Sequence, residues 1–213
     1  MFEKQLKEAL FNNQKREAFA LVHEYLGDDP SRVLELYETH LPNLMNAINC
    51  AEDDMVCVFK EHQMSAIVRA IIESVYPIIE DAKGTLSQPK HVLIACVQEE
   101  THELGALIGE QLLMFHGFKT TYLGANTPLE SLLNALEILG DVDAIVLSAT
   151  NPYNVSRLRA TYQTLRALHP TLKLFGAGRA VRQHASQLSF DGLLQSVNDI
   201  KAWLEAEGIV CSH

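Results

Sequence analysis

The sequence is short of basic residues and of long apolar runs. Lysine and arginine number 17 against 27 aspartates and glutamates, which gives a net charge of −10. Direct binding to nucleic acid needs a basic surface, so we expect none. No stretch approaches the roughly 18 uninterrupted apolar residues of a membrane span. The N-terminus is charged throughout and lacks the apolar core of a secretory signal, so we expect a cytoplasmic protein.

Cysteine is also scarce. The four cysteines, Cys50, Cys57, Cys96 and Cys211, include no C-x-x-C pair of the kind that binds a metal. We predict reduced thiols that act as small apolar side chains. The hydrophobic share of 47% and the charged share of 21% are those of a globular protein with a sizeable core.

Residues 1–82 have the apolar spacing of amphipathic helices. Apolar side chains recur at intervals of three and four in FEKQLKEALF, REAFALVHEYL, SRVLELYETHLPNLMNAI and MVCVFKEHQMSAIVRAIIESVYPII. Polar breaks at 28–31 and 49–54 separate these segments. The pattern predicts a four-helix bundle. Residues 83–90, KGTLSQPK, have no apolar period and predict a linker.

Residues 91–213 alternate short apolar strands with helices. The predicted strands are HVLIACV, FKTTYLG, DAIVLSAT, LKLFGAG and the shorter DGLLQ. This alternation predicts a five-stranded parallel sheet with helices on both faces, a flavodoxin-like doubly wound α/β fold. Ligands of such folds bind beyond the carboxyl ends of the strands. The loops after Val97, Tyr122, Leu147 and Phe175 are therefore the candidate site.

These loops carry a spaced set of polar and small residues. The first contains Glu100-x-His102-x-x-Gly105, Ser148-Ala149-Thr150 follows after 42 residues, and Gly176-Ala177-Gly178 follows after 25 more. Dinucleotide, phosphate-loop and G-x-S-x-G motifs are missing from the sequence. Together with LGANTP at 123–128, the set resembles the signature of cobalamin-binding domains. Two positions depart from that signature: Thr150 replaces a leucine, and Ala177 interrupts the glycine pair.

The resemblance implies cobalamin as the cofactor. It implies that His102 is the lower axial cobalt ligand, that Glu100 bonds the other ring nitrogen, and that Ser148 extends this relay. The displaced nucleotide tail would enter a slot beside the sheet. The other residues that the resemblance places at the cofactor are Gly105, Leu123, Gly124, Thr150, Gly176 and Gly178.

The helical half of the sequence helps to decide which family of cobalamin-binding proteins the chain resembles. Methyl-carrying corrinoid proteins usually have Asp-x-His-Asp-x-Gly in the loop, whereas the light-sensing CarH-type regulators have Glu-x-His-x-x-Gly and a Glu-His pair in the bundle. Glu61-His62 is such a pair in this chain. The resemblance implies that Glu61 and His62 contact the upper face of the cofactor, and that His62 takes the upper cobalt position after photolysis.

Two features depart from the regulator family. Ala51 stands ten residues before the Glu-His pair, where the family has a tryptophan, so the upper ligand could be adenosyl or methyl. The chain starts with the bundle, where those regulators start with a DNA-binding domain. We therefore expect regulation through a partner protein, with a homo-oligomer as an open alternative.

Three functions follow from the sequence. The first is a cobalamin-binding sensor, not itself an enzyme, that signals light and regulates transcription through a partner. The second is a corrinoid carrier that shuttles methyl groups between two methyltransferases. The third is a haem-binding sensor, since His102 would suit iron equally.

Overall fold

In a computed structural model that describes residues 1–48, 50 and 54–213, the chain divides into two units, Met1–Ala82 and Lys83–His213. Ala51, the position at which the regulators have tryptophan, lies outside the described residues. Each unit is described by itself below.

The regular structure of the first unit is helical. Its helices are α1 (Phe2–Phe11), α2 (Lys15–Leu26), α3 (Arg32–Glu35), α4 (Leu41–Asn46) and α5 (Met55–Ala82). A π-helical turn, Leu36–His40, joins α3 to α4, so the third predicted helix is one continuous helical run. The prediction of four helical segments followed by an α/β region is confirmed.

Helix α5 carries the core of the first unit. Its buried positions recur every three or four residues, as an amphipathic helix requires: Met64, Ile67, Val68, Ile71, Ile72, Val75 and Ile79. Helices α1, α2 and α4 pack against it. Within the described residues, no helix of either unit combines the length and the apolar character needed to cross a membrane.

The prediction of reduced cysteines was wrong for one pair. Cys50 and Cys57 form a disulfide, with their Cα atoms 5.4 Å apart. The start of α5 places Cys57 at this distance, and its backbone N–H donates to Asp54 Oδ1 at 3.0 Å. Nothing in a separation of seven residues indicates a disulfide, so the pairing could not be predicted from the spacing. Cys96 is buried, as predicted, and Cys211 is half-buried.

The strands of the second unit are β1 (Thr85–Leu86), β2 (His91–Cys96), β3 (Lys119–Tyr122), β4 (Ala144–Ser148), β5 (Lys173–Ala177), β6 (Gly192–Leu193) and β7 (Cys211–Ser212). Strands β2 to β6 form a parallel sheet in the order β3-β2-β4-β5-β6. This is the flavodoxin-like strand order that the sequence predicts. The helices are α6 (Leu104–Phe115), α7 (Leu129–Leu139), α8 (Val155–Leu168), α9 (Arg179–Gln183) and α10 (Val197–Ala206).

Strands β2 and β4 lie in the buried interior of this sheet. Every residue of β2 and β4 is buried, as expected for parallel strands covered by helices on both faces. Leu93, Ile145 and Leu147 lie in the core with residues of α8. Trp203, on α10, packs against Phe175 with ring centroids 4.7 Å apart.

The segment 83–90, predicted as a linker, is part of the second unit. Strand β1 pairs antiparallel with β7, with Thr85 opposite Ser212 and Leu86 opposite Cys211. Gly84 N also donates to Phe115 O at 2.9 Å. Backbone hydrogen bonds therefore attach this segment to the second unit, although its Gly, Ser and Pro content predicts a linker.

Candidate functional site

The loops after β2 and β4 meet at the carboxyl edge of the sheet. The two strands are neighbours, and Cys96 pairs with Ser148 at their ends. The direction of strand order reverses between β2 and β4, which is where flavodoxin-like folds bind ligands. The predicted motif residues of both loops are therefore brought together.

Glu100 is the centre of the hydrogen bonds at this edge. Its side chain is wholly buried. Oε1 accepts from His102 N at 3.0 Å and lies 2.6 Å from His102 Nδ1. Oε2 accepts from Thr150 N and Asn151 N, both at 2.8 Å, and from Asn154 Nδ2 at 3.2 Å. One carboxylate thus joins the loop after β2 to the loop after β4.

These donors decide the charge of Glu100. Burial acts to raise the pKa of the carboxyl, but hydrogen bonds from His102, Asn151 and Asn154 outweigh it and lower the pKa to about 2. Glu100 is therefore ionised at neutral pH. An ionised acceptor 2.6 Å from Nδ1 places the imidazole proton on that nitrogen. Nε2 then becomes the ring atom that can act as a metal ligand.

Ser148 is buried at the end of β4, where it is paired with Cys96 of β2. Burial raises the pKa of the Cys96 thiol to about 12, so the thiol is neutral. Cys96 Sγ lies 3.9 Å from the carbonyl oxygen of His102, in the loop after β2 (residues 97–103), which is called the histidine loop below. The donors to Glu100 Oε2 come from the loop that follows Ser148, and the role of Ser148 in the relay stays a prediction.

The loop after β2 has an unusual backbone that neighbouring residues hold in place. Glu99 and Asn126 both have positive φ, +67° and +52°. Glu99 N donates to Asn126 Oδ1 at 2.7 Å, and Asn126 N donates to Glu100 O at 2.8 Å. A non-glycine residue in this region costs about 1–3 kcal/mol. The reciprocal bonds to the loop after β3 hold the histidine loop in this conformation.

An apolar cavity of about 150 Å³ opens beside α6 in the second unit. Ile94, Leu112 and Val146 are among its apolar lining residues. A Cβ atom on Gly105 or Gly109 would meet no atom within 4 Å, so the absence of side chains leaves this space open. The cavity lies beside the sheet, and its use as the predicted slot for the nucleotide tail stays a prediction. Gly105 was among the predicted residues, and Gly109 was not.

The remaining predicted glycines have different surroundings. Gly178 lines the slot, but its φ is +94° and a Cβ there would collide with the carbonyl of Ala149. Gly176 is packed, because a Cβ there would lie 2.6 Å from Val181 Cγ1. Gly124 lies in the turn after β3, where its carbonyl accepts from Cys96 N at 3.0 Å.

Leu123 follows β3 directly. Its backbone N donates to Ile94 O at 2.9 Å, and its side chain packs against the core. It therefore fixes the start of the turn that contains Gly124.

Residues 90–194 match the family model described as "B12 binding domain". The matched range contains strands β2 to β6 and the Glu100–His102 pair. Residues 90–194 form a B12 binding domain. The cofactor that this domain binds is cobalamin.

Known proteins resemble the chain in sequence and in fold. The HTH-type transcriptional repressor CarH of Myxococcus xanthus is 33% identical over 135 residues, which cover 62% of this chain and 43% of that protein. This chain thus corresponds to less than half the length of that relative.

Two solved structures share the fold. The monomethylamine corrinoid protein of Methanosarcina barkeri superposes with a TM-score of 0.73 at 18% identity, over 94% of this chain and 96% of that one. A cobalamin-binding protein from Desulfitobacterium hafniense DCB-2 has a TM-score of 0.50 at 15% identity, over 97% and 98% of the two chains.

The B12 binding domain has residues that fit cobalamin. The His102 side chain is 56% exposed, which leaves room for a large ring to approach it. The corrin supplies its own nitrogen ligands, so one histidine suffices on the protein side. The apolar slot with glycines on its wall suits a flat aromatic base better than a phosphate. The histidine loop thus offers a ligand for the cobalt, and the slot offers apolar space for the base of the nucleotide tail.

Glu61 and His62 lie on α5 of the first unit. Ser65 Oγ donates to Glu61 Oε1 at 2.6 Å, and His62 Nε2 lies 3.6 Å from Glu61 Oε2. The His62 side chain is 76% exposed. Their role at the upper face of the cofactor stays a prediction.

No role was predicted for Asn126, Asn151 or Asn154, which hold the histidine loop, although Asn126 is part of LGANTP. Their common signal is weak: each is an asparagine in a loop after a strand, a residue type that often bonds local backbone. Asn151 shows this directly, since its Oδ1 accepts from Tyr153 N at 3.0 Å. The contacts of Asn154 with Glu100 bridge 54 residues and have no local signature.

Proposed function

We propose that the chain is a cobalamin-dependent sensory protein, not itself an enzyme, which signals light to a regulatory partner. The main support is the buried Glu100 carboxylate on His102, in a loop of the Glu-x-His-x-x-Gly type that resembles the light-sensing regulators. Similarity to a transcriptional repressor over 135 residues points the same way.

In this proposal the lower face is a rigid support. Glu100 holds the proton on His102 Nδ1 and orients the ring, so that Nε2 would be the atom that holds the cobalt. The slot beside α6 would hold the nucleotide tail of the cofactor. Bound alkylcobalamin supplies a weak, light-sensitive cobalt–carbon bond.

We assign the contacts to the upper face of the cofactor to residues of the first unit. The Ser65–Glu61 hydrogen bond restrains the carboxylate on α5, and the exposed His62 next to it has an imidazole that can bind cobalt. Loss of the upper alkyl group would let His62 take its position. The two ligation states would then favour different assemblies, either with a partner protein or with further copies of this chain.

A methyl-carrying corrinoid protein is the second candidate. The fold shared with a monomethylamine corrinoid protein extends over 94% of the chain. In the sequence, Ala51 is small where the regulators have tryptophan, which would leave the upper face more accessible to a methyltransferase. The two candidates differ in what happens after cofactor binding.

Absorption spectra with adenosylcobalamin and methylcobalamin test both candidates. The full chain is loaded in the dark, illuminated with green light, and followed by size-exclusion chromatography. A spectrum with histidine as the lower ligand and a light-dependent change in size support the sensor. Stable binding without a change in assembly, together with cycling between cobalt(I) and methyl states with a methyltransferase, favours the carrier. Failure to bind either corrinoid while binding haem contradicts both.

Two variants assign the lower ligand. His102→Ala should lose the histidine-ligated spectrum and weaken cobalamin binding, whereas His169→Ala, at the end of α8, should leave both unchanged. Unchanged affinity and spectrum in His102→Ala would refute the assignment.

A substitution that fills the slot tests whether the slot binds the nucleotide tail or the corrin ring. Gly109→Leu places a side chain into open space beside α6, where no atom lies within 4 Å of the new Cβ. We expect weaker binding of cobalamin and unchanged binding of cobinamide, which lacks the nucleotide tail. Equal losses for both corrinoids would show that the slot does not hold the tail.

A further inference from the structure

We propose that Asn154 is a positioning residue for the lower cobalt ligand, because its buried side-chain amide holds Glu100 in the orientation that makes His102 present Nε2. The inference rests on the cobalamin role of His102 in the proposed function. It adds a residue that the loop motif does not contain.

The geometry of Asn154 is that of a clamp on the histidine loop. Only 5% of the residue is exposed. Nδ2 donates to Glu100 Oε2 at 3.2 Å and to Glu99 O at 3.3 Å. One amide group therefore holds both the carboxylate and the strained backbone next to it. Asn154 ends the 3₁₀ turn Pro152–Asn154, and its own N–H donates to Asn151 O at 3.0 Å, so the turn fixes the position from which the side chain reaches Glu100.

The type of donor matters as much as its position. An amide NH₂ group can donate but not accept, and the other two donors to Glu100 Oε2 are the backbone N–H groups of Thr150 and Asn151. Glu100 is thus surrounded on this side by fixed donors, and its other oxygen is left to orient His102.

Two substitutions remove the donor in different ways. Asn154→Ala leaves Oε2 with its two backbone donors and gives the carboxylate room to turn. Asn154→Asp keeps the shape and puts a second carboxylate 3.2 Å from the first, so it should be the stronger perturbation. Asn154→Ser keeps a shorter donor and tests for partial rescue. Asn134→Ala, on the exposed face of α7, is the matched control.

The first measurement uses the cofactor-free full chain. Nitrogen NMR of labelled histidine, at a pH well above the imidazole pKa, reports which ring nitrogen carries the proton; comparison with His102→Ala assigns the signal. We expect the Nδ1–H form for His102 in the wild type and in Asn134→Ala. We expect a mixture of the two forms in Asn154→Ala and Asn154→Asp.

The second measurement is cobalamin affinity. Loss of a residue that orients a metal ligand typically lowers metal affinity by about 10- to 100-fold. We expect a loss in this range for Asn154→Asp, a smaller loss for Asn154→Ala, and partial recovery in Asn154→Ser. Asn134→Ala should bind like the wild type. Circular dichroism of each variant confirms that it is folded.

The outcomes separate this inference from the proposed function. Folded Asn154 variants with the wild-type tautomer and affinity would overturn the positioning role, whatever the response to light. A shifted tautomer and weaker binding support it, even if illumination changes no assembly and the sensor proposal fails. If the wild type binds no corrinoid, the inference is overturned together with the cobalamin role on which it rests.

Discussion

Replacement of Glu100 by glutamine should destabilise the second unit strongly. Glutamine has almost the same shape but carries an NH₂ group in place of one oxygen. Either orientation turns that NH₂ toward donors: the two N–H groups of His102 on one side, or Thr150 N and Asn151 N on the other. In the first orientation His102 N loses its acceptor, and the ring keeps a hydrogen bond only if its proton moves from Nδ1 to Nε2. In the second orientation Thr150 N and Asn151 N lose theirs.

The pKa of Glu100 gives the size of the effect. The ordinary value of 4.5 falls to about 2 in the folded chain. At about 1.4 kcal/mol for each pKa unit, the ionised carboxylate contributes about 3 kcal/mol to folding at neutral pH. Because the folded pKa is the lower one, this contribution is fully present above about pH 4.5 and is lost as the pH falls toward 2. At about pH 3.5 it should be about 2 kcal/mol.

Trp203 provides the assay. It is the single tryptophan of the chain and packs against Phe118 and Phe175 in the second unit. Its fluorescence in urea therefore reports unfolding of the unit that contains Glu100. The control is Glu99→Gln, since that neighbouring glutamate is exposed and its carboxylate pairs with Arg157 at the surface; we expect a change below about 1 kcal/mol.

Two results would refute the reasoning. One is a Glu100→Gln chain that unfolds at the same urea concentration as the wild type at neutral pH. The other is a difference between the two chains that stays constant from neutral pH to about pH 3.5, because a constant difference cannot come from an ionised carboxylate with a lowered pKa.

Three further predictions concern features outside the histidine loop. Without reductant, two of the four cysteines should react with a thiol reagent in denaturant, and all four after reduction, since Cys50 and Cys57 are joined; four at the outset would contradict the disulfide. Gly178→Ala should destabilise the chain more than Gly208→Ala in urea unfolding, because both glycines have positive φ but only the first would meet a backbone carbonyl; equal losses would mean that the close approach is unimportant. Leu93→Ala should cost about 2–5 kcal/mol by Trp fluorescence, as a wholly buried leucine of a central strand; a loss below 1 kcal/mol would argue against its burial.

The fold could be predicted from the sequence because apolar residues are spaced differently in helices and in strands. The apolar runs of β2 and β4 and the amphipathic spacing of α5 are local patterns, and each produced the expected element. Alternation of strand and helix then restricts the topology to a few choices. The strand within segment 83–90 could not be predicted, because the two residues of β1 are too few to show an alternating pattern.

Part of the site could also be predicted. Glu100 and His102 are two residues apart, so the motif itself keeps them close, and the structure adds the 2.6 Å contact. The partners of Glu100 after β4 depend on how a loop turns, which no spacing encodes. This is why Asn154, which donates to Glu100 Oε2, was not among the predicted residues.

The pairing of β1 with β7 has a consequence for how the second unit can be combined with other sequences. Residues 85–86 and 211–212 lie side by side, so the polypeptide enters and leaves this unit at nearly the same point. A unit with adjacent ends can be spliced into a loop of a host protein, or have its ends joined and be reopened elsewhere, without stretching its backbone. The second unit, which contains the B12 binding domain, can therefore be transferred as a whole, and the carboxyl edge of its sheet would be transferred together with its ligand loop.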